Sequence, residues 1–295
     1  MLEIVPADTA FDFVGKRHAA FLVSGCLVGV SVLLLVLVGP RYGVDFAGGT
    51  LLHVRAASPV SLDHLRRAFE GLDTDVELQD ASGTQREFLL RIADTGDALE
   101  RAVGQRIEAA FGAGRYEILR NEVVGPRVGA DLRRQALFAM IAAIGMMGTY
   151  VAWRFEPRFG VGAALALVHD VIVTLGALIA CRYEIDMTIV AALLTVVGFS
   201  VNDTVIVSDR VRENLRKHYR RTLPEIINLS INETLSRTVL TTGTALLVIL
   251  ALVSLGGSVI RGFAVTLLVG ITVGTYSSIF VALPIVLTLA RKPRR

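Results

Sequence analysis

The sequence predicts an α-helical membrane protein with six transmembrane helices and one inserted α+β domain outside the membrane. Hydrophobic residues make up 53% of the 295 residues and charged residues only 19%, and the mean hydropathy is +0.58. These values are too apolar for an ordinary soluble domain. Six apolar runs have about 20 residues or more, the length that crosses the hydrocarbon layer of a bilayer. One long charged segment, residues 39–131, separates the first run from the other five.

The first predicted transmembrane helix covers residues 19–38 and follows a polar segment, residues 1–18, with Lys16 and Arg17 near its end. Its apolar run is longer than the hydrophobic region of a typical signal peptide. The tripeptide Gly39-Pro40-Arg41, which comes next, does not resemble a cleavage site of small residues. We therefore expect this helix to remain as an uncleaved anchor.

Residues 39–131 are charged and mixed in polarity, and they predict a small domain with the element order βαββαβ. Alternating or β-branched runs predict the strands, and Ser61 is a good N-cap for the first helix. The predicted elements are strand Thr50–Arg55, helix Ser61–Leu72, strands Asp75–Gln79 and Glu87–Ile92, helix Asp97–Phe111 and strand Tyr116–Val124. This order is typical of a ferredoxin-like sandwich, in which two helices cover one face of four antiparallel strands.

Five further apolar runs predict the remaining transmembrane helices. Their ranges are 132–155, 159–181, 186–209, 233–257 and 260–290, with a basic loop at 210–232 and a basic tail at 291–295. Lys and Arg in short loops mark the cytoplasmic side of a membrane protein. They gather at both termini, at Arg154 and Arg158, and in the basic loop, whereas the opposite short loops contain only Arg182 and Arg261. This bias predicts cytoplasmic N and C termini and an extracytoplasmic location for residues 39–131.

Two charged residues fall inside predicted transmembrane helices, Asp203 in the fourth and Arg237 at the start of the fifth. A charge in the membrane interior costs roughly 2.5 to 3.5 kcal/mol on insertion scales, so it usually faces a protein interior and has a partner. Both residues lie about five or six positions, roughly 8 to 9 Å, inside the cytoplasmic boundary. We expect the carboxylate and the guanidinium to meet. The pair either locks two helices, with Arg237 free to extend to the interface, or forms a site where Asp203 gains and loses a proton.

Other polar residues in these helices belong to the same candidate network. Asn202 lies beside the first charge, and His169 and Asp170 lie near the middle of the third helix, deeper in the membrane. A buried Asp170 requires a partner, most simply a hydroxyl or amide group on a neighbouring helix, so this pair has either a structural or a relay role. Glu233 stands four residues before Arg237, which is the spacing of a local salt bridge, and it is a weaker candidate for a relay.

Five short motifs carry a resemblance to a known family. They are GVDFAGGT at 43–50, VGPRVG at 124–129, ALVHD at 166–170, GFSVNDT at 198–204 continuing to DRVREN at 209–214, and SINETLSRT at 230–238. Together they span nearly the whole chain and are highly specific. The chain resembles the SecD/SecF family of protein-export membrane proteins, and within it the SecF branch, in the resistance-nodulation-division (RND) superfamily.

The resemblance implies a function in protein export, in the bacterial cytoplasmic (inner) membrane. Proteins of the SecF branch work with SecD, downstream of the SecYEG channel and the SecA motor. They use the proton motive force, without a cofactor, to help draw unfolded polypeptide out of the channel. The resemblance also implies that Asp203 and Arg237 are proton-relay residues, together with an Asp on SecD. An Asp and an Arg with few other oxygen ligands favour protons over sodium as the coupling ion.

The glycines of the first two motifs are candidate hinges between membrane and domain. Gly48 and Gly49 follow the first transmembrane helix, and Gly125 and Gly129 precede the second. They either bend when the helices move or simply allow tight turns.

Two other functions remain open at this stage. One is a proton-coupled exporter of small molecules or lipids from the same superfamily, although a single domain of about 90 residues is too small to enclose a substrate tunnel alone. The other is a non-conducting subunit that only assembles membrane proteins. We do not expect an enzyme or a metal site, because no nucleophile–base–oxyanion set, metal-ligand spacing or phosphate-binding loop is present in the sequence. The basic residues follow the topology, so we do not expect a nucleic-acid partner.

Overall fold

A computed structural model describes residues 11–70, 76–81, 84–92, 97–112 and 114–290. In chain order the elements are α1 (Arg17–Leu37), β1 (Arg41–Tyr42), α2 (Val44–Ala47), β2 (Gly49–Ala56), α3 (Leu62–Phe69), β3 (Val76–Asp80), β4 (Glu87–Ile92), α4 (Asp97–Phe111), β5 (Tyr116–Val124), α5 (Pro126–Arg154), α6 (Pro157–Ala180), β6 (Glu184–Ile185), α7 (Met187–Lys217), α8 (Leu223–Leu255), α9 (Gly257–Ser277), a π-helical turn (Ser278–Ala282) and α10 (Leu283–Leu289). The first ten residues of the predicted N-terminal segment, the end of the first predicted domain helix at Leu72, the strand start at Asp75 and the tail at 291–295 lie outside the described residues.

Six helices in the described residues are long and apolar enough to cross a membrane: α1, α5, α6, α7, α8 and the run from Ile260 to Leu289. They correspond to the six predicted spans. The second begins at Pro126, six residues earlier than predicted, because the ring of a proline at the first helical position is already set for a helix.

The segment 210–232, predicted as a loop, is largely helical. The structure continues α7 to Lys217 and starts α8 at Leu223. Ion pairs from Glu213 to Arg210 and to Lys217 have helical spacing, and a capping box of Thr222 and Glu225 begins α8. Charged residues that point to a loop by hydropathy therefore extend both helices beyond their apolar parts.

The inserted domain contains a four-stranded antiparallel sheet with the strand order β3-β4-β2-β5. Residues Thr50 to Arg55 of β2 pair with Ile92 to Glu87 of β4. Helix α3 starts as predicted, because the Ser61 side chain accepts a hydrogen bond from the His64 N–H. The apolar residues of α3, α4 and one face of the sheet form the domain core: Leu52, Val54, Ala56, Leu65, Phe69, Phe88, Leu90, Ile92, Val103, Ile107 and Phe111.

The transmembrane helices form a central and a peripheral group. In the most apolar windows of α6, of α7 and of the Ile260–Leu289 run, 56% to 61% of residues are buried, against 17% in α1, α5 and α8. The central helices therefore contact protein on most sides, while the peripheral helices present most of their surface outward.

Glycines allow the central helices to approach closely. A Cβ at Gly162 of α6 would lie 2.7 Å from the carbonyl oxygen of Ala282, and a Cβ at Gly274 of α9 would lie 2.9 Å from the Ser200 Cβ on α7. Small residues of this kind drive helix association in membranes, where burial of apolar surface contributes little. The polar residues described below are therefore carried by tightly packed helices.

Candidate functional site

Asp203 lies inside the helix bundle. Its side chain is on the inward face of α7 and only 1% of the residue is exposed. In the described part of the chain, neither of its carboxylate oxygens has a hydrogen-bond partner. Burying an unpaired charge is penalised by several kcal/mol relative to water. This carboxyl group is therefore far more costly to hold charged than a surface aspartate.

Arg237 lies on α8, next to α7, but it faces outward and is exposed. The expected contact between the two side chains is not formed. Among the described residues, no ion pair within 4.0 Å joins the Asp203 carboxylate to the Arg237 guanidinium. Arg237 acts on Asp203 only through space. The prediction that the two charges meet is wrong for this conformation. Hydropathy places both residues at one depth but does not specify which side of each helix they occupy.

A stripe of small and polar residues runs along the outer surface of α7. Exposed Ala191, Thr195, Gly198 and Asn202 recur at intervals of three and four residues, which places them on one helix face. Asn202 thus points out of the bundle, whereas the adjacent Asp203 points in. An amide and a guanidinium in apolar lipid are unfavourable, so this surface is suited to another protein.

Asp170 is the centre of a buried polar cluster. It is fully buried on α6, and its Oδ2 atom accepts hydrogen bonds from Ser200 Oγ of α7 at 2.6 Å and from Ser277 Oγ of α9 at 2.8 Å. Its Oδ1 atom lies 3.0 Å from His169 Nδ1. The hydroxyl partners expected for Asp170 are therefore present, on two neighbouring helices.

His169 extends this cluster toward α1. Its ring lies 6.4 Å from the Tyr276 ring, centroid to centroid. The Tyr276 hydroxyl donates to the Ala20 carbonyl oxygen and lies 3.1 Å from Ser24 Oγ. Within the described residues, the buried Nε2 of His169 has no hydrogen-bond partner. Polar groups thus connect α6 and α9 to α1, although they do not reach Asp203 directly.

Glu233 binds across helices rather than along its own. Its Oε2 atom accepts hydrogen bonds from Arg210 Nε at 2.7 Å and Asn214 Nδ2 at 2.6 Å, both on α7. The predicted local salt bridge to Arg237 is absent from the described residues, and that prediction is wrong. Hydropathy did not predict that α7 continues past its apolar part. This extension places Arg210 within hydrogen-bond distance of Glu233, where it takes the place predicted for Arg237.

The opposite end of α7 is held by two aspartates. Asp186, the N-cap, accepts a hydrogen bond from the Ile189 N–H at 2.8 Å. Asp45 of α2 accepts one from the Met187 N–H at 2.9 Å. Free N–H groups at a helix start are satisfied by such acceptors, and negative charge is favourable there. The GVDFAGGT motif therefore attaches directly to the helix that carries Asp203.

A second attachment joins the inserted domain to the same point. Strands β1 and β6 pair in parallel, with Arg41 opposite Glu184 and Tyr42 opposite Ile185. Arg91 of β4 lies 3.3 Å from the Glu184 carboxylate and donates to the Tyr42 carbonyl oxygen. The sheet of the domain is thus tied to the segment that leads into α7.

Two carboxyl groups at this junction have raised pKa values. Burial raises the pKa of Asp186, and the nearby negative charge of Asp45 raises it further. The hydrogen bond from the Ile189 N–H acts in the opposite direction. Burial also raises the pKa of Glu184, against the lowering effect of Arg91. A raised pKa means that the folded junction binds protons more tightly than the unfolded chain. Its stability is therefore greatest below the ordinary carboxyl pKa and falls as the pH rises through the raised values.

The four candidate hinge glycines occupy different environments. Gly48 and Gly49 have φ angles of +81° and +115°, which favour glycine. Gly129 lies inside α5, where a Cβ would be 3.0 Å from the Phe46 carbonyl oxygen. A Cβ at Gly125 would meet nothing within 4 Å. Close packing explains Gly129, tight turns explain Gly48 and Gly49, and the hinge role stays a prediction for all four.

Three contributing residues escaped sequence reasoning: Ser200, Ser277 and Asp45. Ser200 lies in the GFSVNDT motif three residues before Asp203, and Asp45 lies in the GVDFAGGT motif, so both carried a usable signal. Ser277 lies in an ordinary apolar run, and only the packing of α9 on α6 reveals it. No group of three or more His, Cys, Asp or Glu suitable for a metal ion occurs within the described ranges.

Comparison with known proteins agrees with this architecture. A family model described as "Protein export membrane protein SecD/SecF, C-terminal" matches residues 105–292. The chain is 44% identical over 300 aligned residues to the protein translocase subunit SecF of Magnetococcus marinus, covering 100% of this chain and 96% of that protein. This chain belongs to the SecD/SecF family. SecF of Escherichia coli O157:H7 is 38% identical over 286 residues, covering 96% of this chain and 88% of that protein.

The SecD/SecF family also includes a solved structure with the same fold. The crystal structure of SecDF from Thermus thermophilus, described as a translocon-associated membrane protein, matches with a TM-score of 0.84 and 38% identity. The match covers 97% of this chain but 39% of that SecDF chain. This member of the SecD/SecF family is therefore a multi-pass membrane protein that corresponds to the smaller part of a SecDF chain.

Proposed function

We propose that this chain is a SecF-type subunit of a protein translocase. With a SecD-type partner, it uses protons moving down their gradient to drive late steps of preprotein export, after the SecA motor and at the exit of the SecYEG channel. The observation that carries the proposal is the buried Asp203, which has no hydrogen-bond partner among the described residues and feels the charge of the outward-facing Arg237 through space. The exporter and the assembly subunit are alternatives that the family relationship makes less attractive.

Protonation of Asp203 is the proposed coupling step. Burial penalises the charged form of Asp203 far more than the neutral form, so a proton changes which orientation of α7 is stable. One charge crossing a potential of 100 mV supplies about 2.3 kcal/mol, enough to shift a two-state equilibrium roughly fiftyfold. His169, Asp170 and Asn202 are secondary members of the polar network, and Glu233 fixes α7 to α8.

The outer face of α7 and α8 is the proposed docking surface for the SecD-type partner. Asn202 and Arg237 are both exposed there, within the apolar part of the helices. Proton-driven transporters commonly combine two similar halves around a central site. The match to 39% of a SecDF chain supports a second half of this kind.

The proposed path to the exported side runs through α7 itself. This helix is continuous from Met187 to Lys217, and its first turn is held by Asp45 of α2. The adjoining Glu184 is held by Arg91 of β4. A displacement of α7 is therefore passed to the base of the domain without bending of the glycine segments.

The proposed topology places both termini in the cytoplasm of a bacterium and residues 39–131 outside its cytoplasmic membrane. The bias of Lys and Arg supports this orientation. We also assign the domain to the ferredoxin-like sandwiches, because its βαββαβ order and β3-β4-β2-β5 sheet match that topology.

Reconstituted export tests the proposal. In vesicles that contain SecYEG, SecA, the SecD-type partner and this chain, a proton gradient is expected to accelerate preprotein export. Arg237→Gln is expected to remove most of that acceleration, because it removes the positive charge that acts on Asp203 through space. The measurement is the export rate with the gradient intact and after an ionophore dissipates it. Arg261→Gln, the same change at an exposed residue outside the network, serves as the control. Equal gradient-dependent rates in both variants would reject the role of Arg237.

Asp45→Ala is expected to uncouple the domain from α7. It removes a side-chain acceptor at a helix start, a loss of about 1 kcal/mol, and it frees the exported end of α7. We expect unchanged assembly with the partner but a several-fold smaller gradient-dependent export rate. Asp63→Ala, in the first turn of α3 and remote from α7, is the matched control. Full gradient-dependent export in Asp45→Ala would show that the motion takes another route.

A further inference from the structure

An unpartnered carboxyl group does not remain buried without a structural cause. The inward position of Asp203 is unfavourable for its charged form, and Arg237, whose charge acts on Asp203 through space, is exposed on the neighbouring helix α8. Another interaction must therefore hold α7 in the observed rotation about its axis.

The strongest polar contact near this point is the tie made by Asp170. One carboxylate oxygen accepts both the Ser200 hydroxyl of α7 and the Ser277 hydroxyl of α9. All three residues are at least 98% buried. Hydrogen bonds to a carboxyl oxygen are electrostatically stronger where the protein shields them from water. The tie thus joins three central helices at one oxygen atom.

The tie acts on the same face of α7 as Asp203. Ser200 precedes Asp203 by three residues, so their side chains are separated by only about 60° around the helix. A rotation that carries Asp203 outward must also pull Ser200 away from Asp170. Gly274 of α9 faces Ser200 closely enough that a Cβ would lie 2.9 Å from the Ser200 Cβ. Its missing side chain lets α9 bring Ser277 to the same oxygen.

We infer that Asp170 is a positioning residue that holds α7 in the rotation that buries Asp203. This inference rests on the proposed proton-coupling function. When the tie is broken, α7 turns so that Asp203 approaches the outer surface that carries Arg237. Asp170 therefore sets which of two orientations the proton-binding carboxyl group occupies.

Two valines report this rotation, Val205 at the edge of the exposed stripe and Val207 on the buried face near Asp203. Val205 is half-buried and Val207 is 1% exposed. On a helix with 100° per residue, turning Asp203 outward exposes position 207 and buries position 205. Val205→Cys and Val207→Cys are made separately in a chain whose native cysteines, Cys26 and Cys181, are replaced by Ser. Each protein is purified in detergent without the SecD-type partner, which would cover this face, and is treated with N-ethylmaleimide, and the labelling rates are compared.

The tie is broken in two independent ways, by Asp170→Ala and by Ser200→Ala together with Ser277→Ala. Each is expected to raise the ratio of labelling at 207 to labelling at 205 by about tenfold, the equilibrium change for losing one buried hydrogen bond. Ser200→Ala alone, which removes a single oxygen atom, is the milder variant should either of the others fail to assemble. General loosening raises labelling at both positions and leaves the ratio unchanged.

Thr242→Val is the matched control, because it removes a different hydroxyl contact between transmembrane helices, 3.0 Å from Thr275 Oγ1. Its ratio is expected to equal that of the unmodified chain. A ratio that stays at the control value in the variants lacking the tie overturns the inference. That result is distinct from failure of the proposed function, since the labelling ratio needs no export and no proton gradient.

Discussion

Asp203→Asn is expected to abolish the proton-dependent part of preprotein export while the chain still folds and binds its partner. Asparagine has nearly the shape of aspartate but cannot take up or release a proton. The roughly fiftyfold bias that about 100 mV provides per transferred charge would be lost. Folding should be unchanged or slightly improved, because a neutral amide is less costly to bury than an unpaired charge.

The measurement for Asp203→Asn is the rate of preprotein export with and without a proton gradient, together with the amount of partner recovered on purification. Asp209→Asn provides the control, since it makes the same chemical change six residues later on α7 at an exposed position. The proposal fails if Asp203→Asn and Asp209→Asn respond equally to the gradient.

Gly160→Val is expected to cause the largest loss of stability. A Cβ at this position would lie 2.5 Å from both the Gly148 carbonyl oxygen and the Ala152 Cβ, so α5 and α6 must separate. Overpacking of this kind costs about 3 kcal/mol, and the neighbouring atoms include backbone that cannot move aside. The midpoint of thermal unfolding in detergent measures the effect.

Gly145→Val is the matched control for the glycine prediction. Gly145 also lies on α5, but a Cβ there would meet nothing within 4 Å. Its unfolding midpoint should stay close to that of the unmodified chain. Similar midpoints for the two variants would show that close packing of α5 on α6 does not limit stability.

Local patterns predicted the elements well wherever local forces decide them. The bounds of β4, α4 and β5 agree with the alternation and the helical spacing in the sequence. The prediction was wrong for residues 210–232, because hydropathy treats Arg210 and Glu213 as loop residues. In the structure the two residues pair along one helix, and Glu233 joins that helix to the next. Ion pairs between helices depend on the tertiary arrangement.

The candidate site was predicted in its composition but not in its geometry. Asp203, Arg237 and Asp170 stand out in the sequence because charge is rare in apolar runs. The sequence does not show how these side chains are oriented toward one another, because a shift of one residue changes the direction of a side chain by about 100°. Asp203 consequently lies buried, with no hydrogen-bond partner in the described part of the chain, while Asn202 beside it faces outward.

The sequence by itself determined that this chain crosses a membrane six times, carries one inserted α+β domain and belongs near the SecD/SecF proteins. Those properties follow from hydrophobicity, charge bias and local backbone preferences, which act over a few turns of chain. Only the tertiary structure decided that Asp170 joins three helices through Ser200 and Ser277, and that Asp45 holds the start of α7. Such contacts link residues far apart in the chain, and helix rotation and close packing at glycines bring them together.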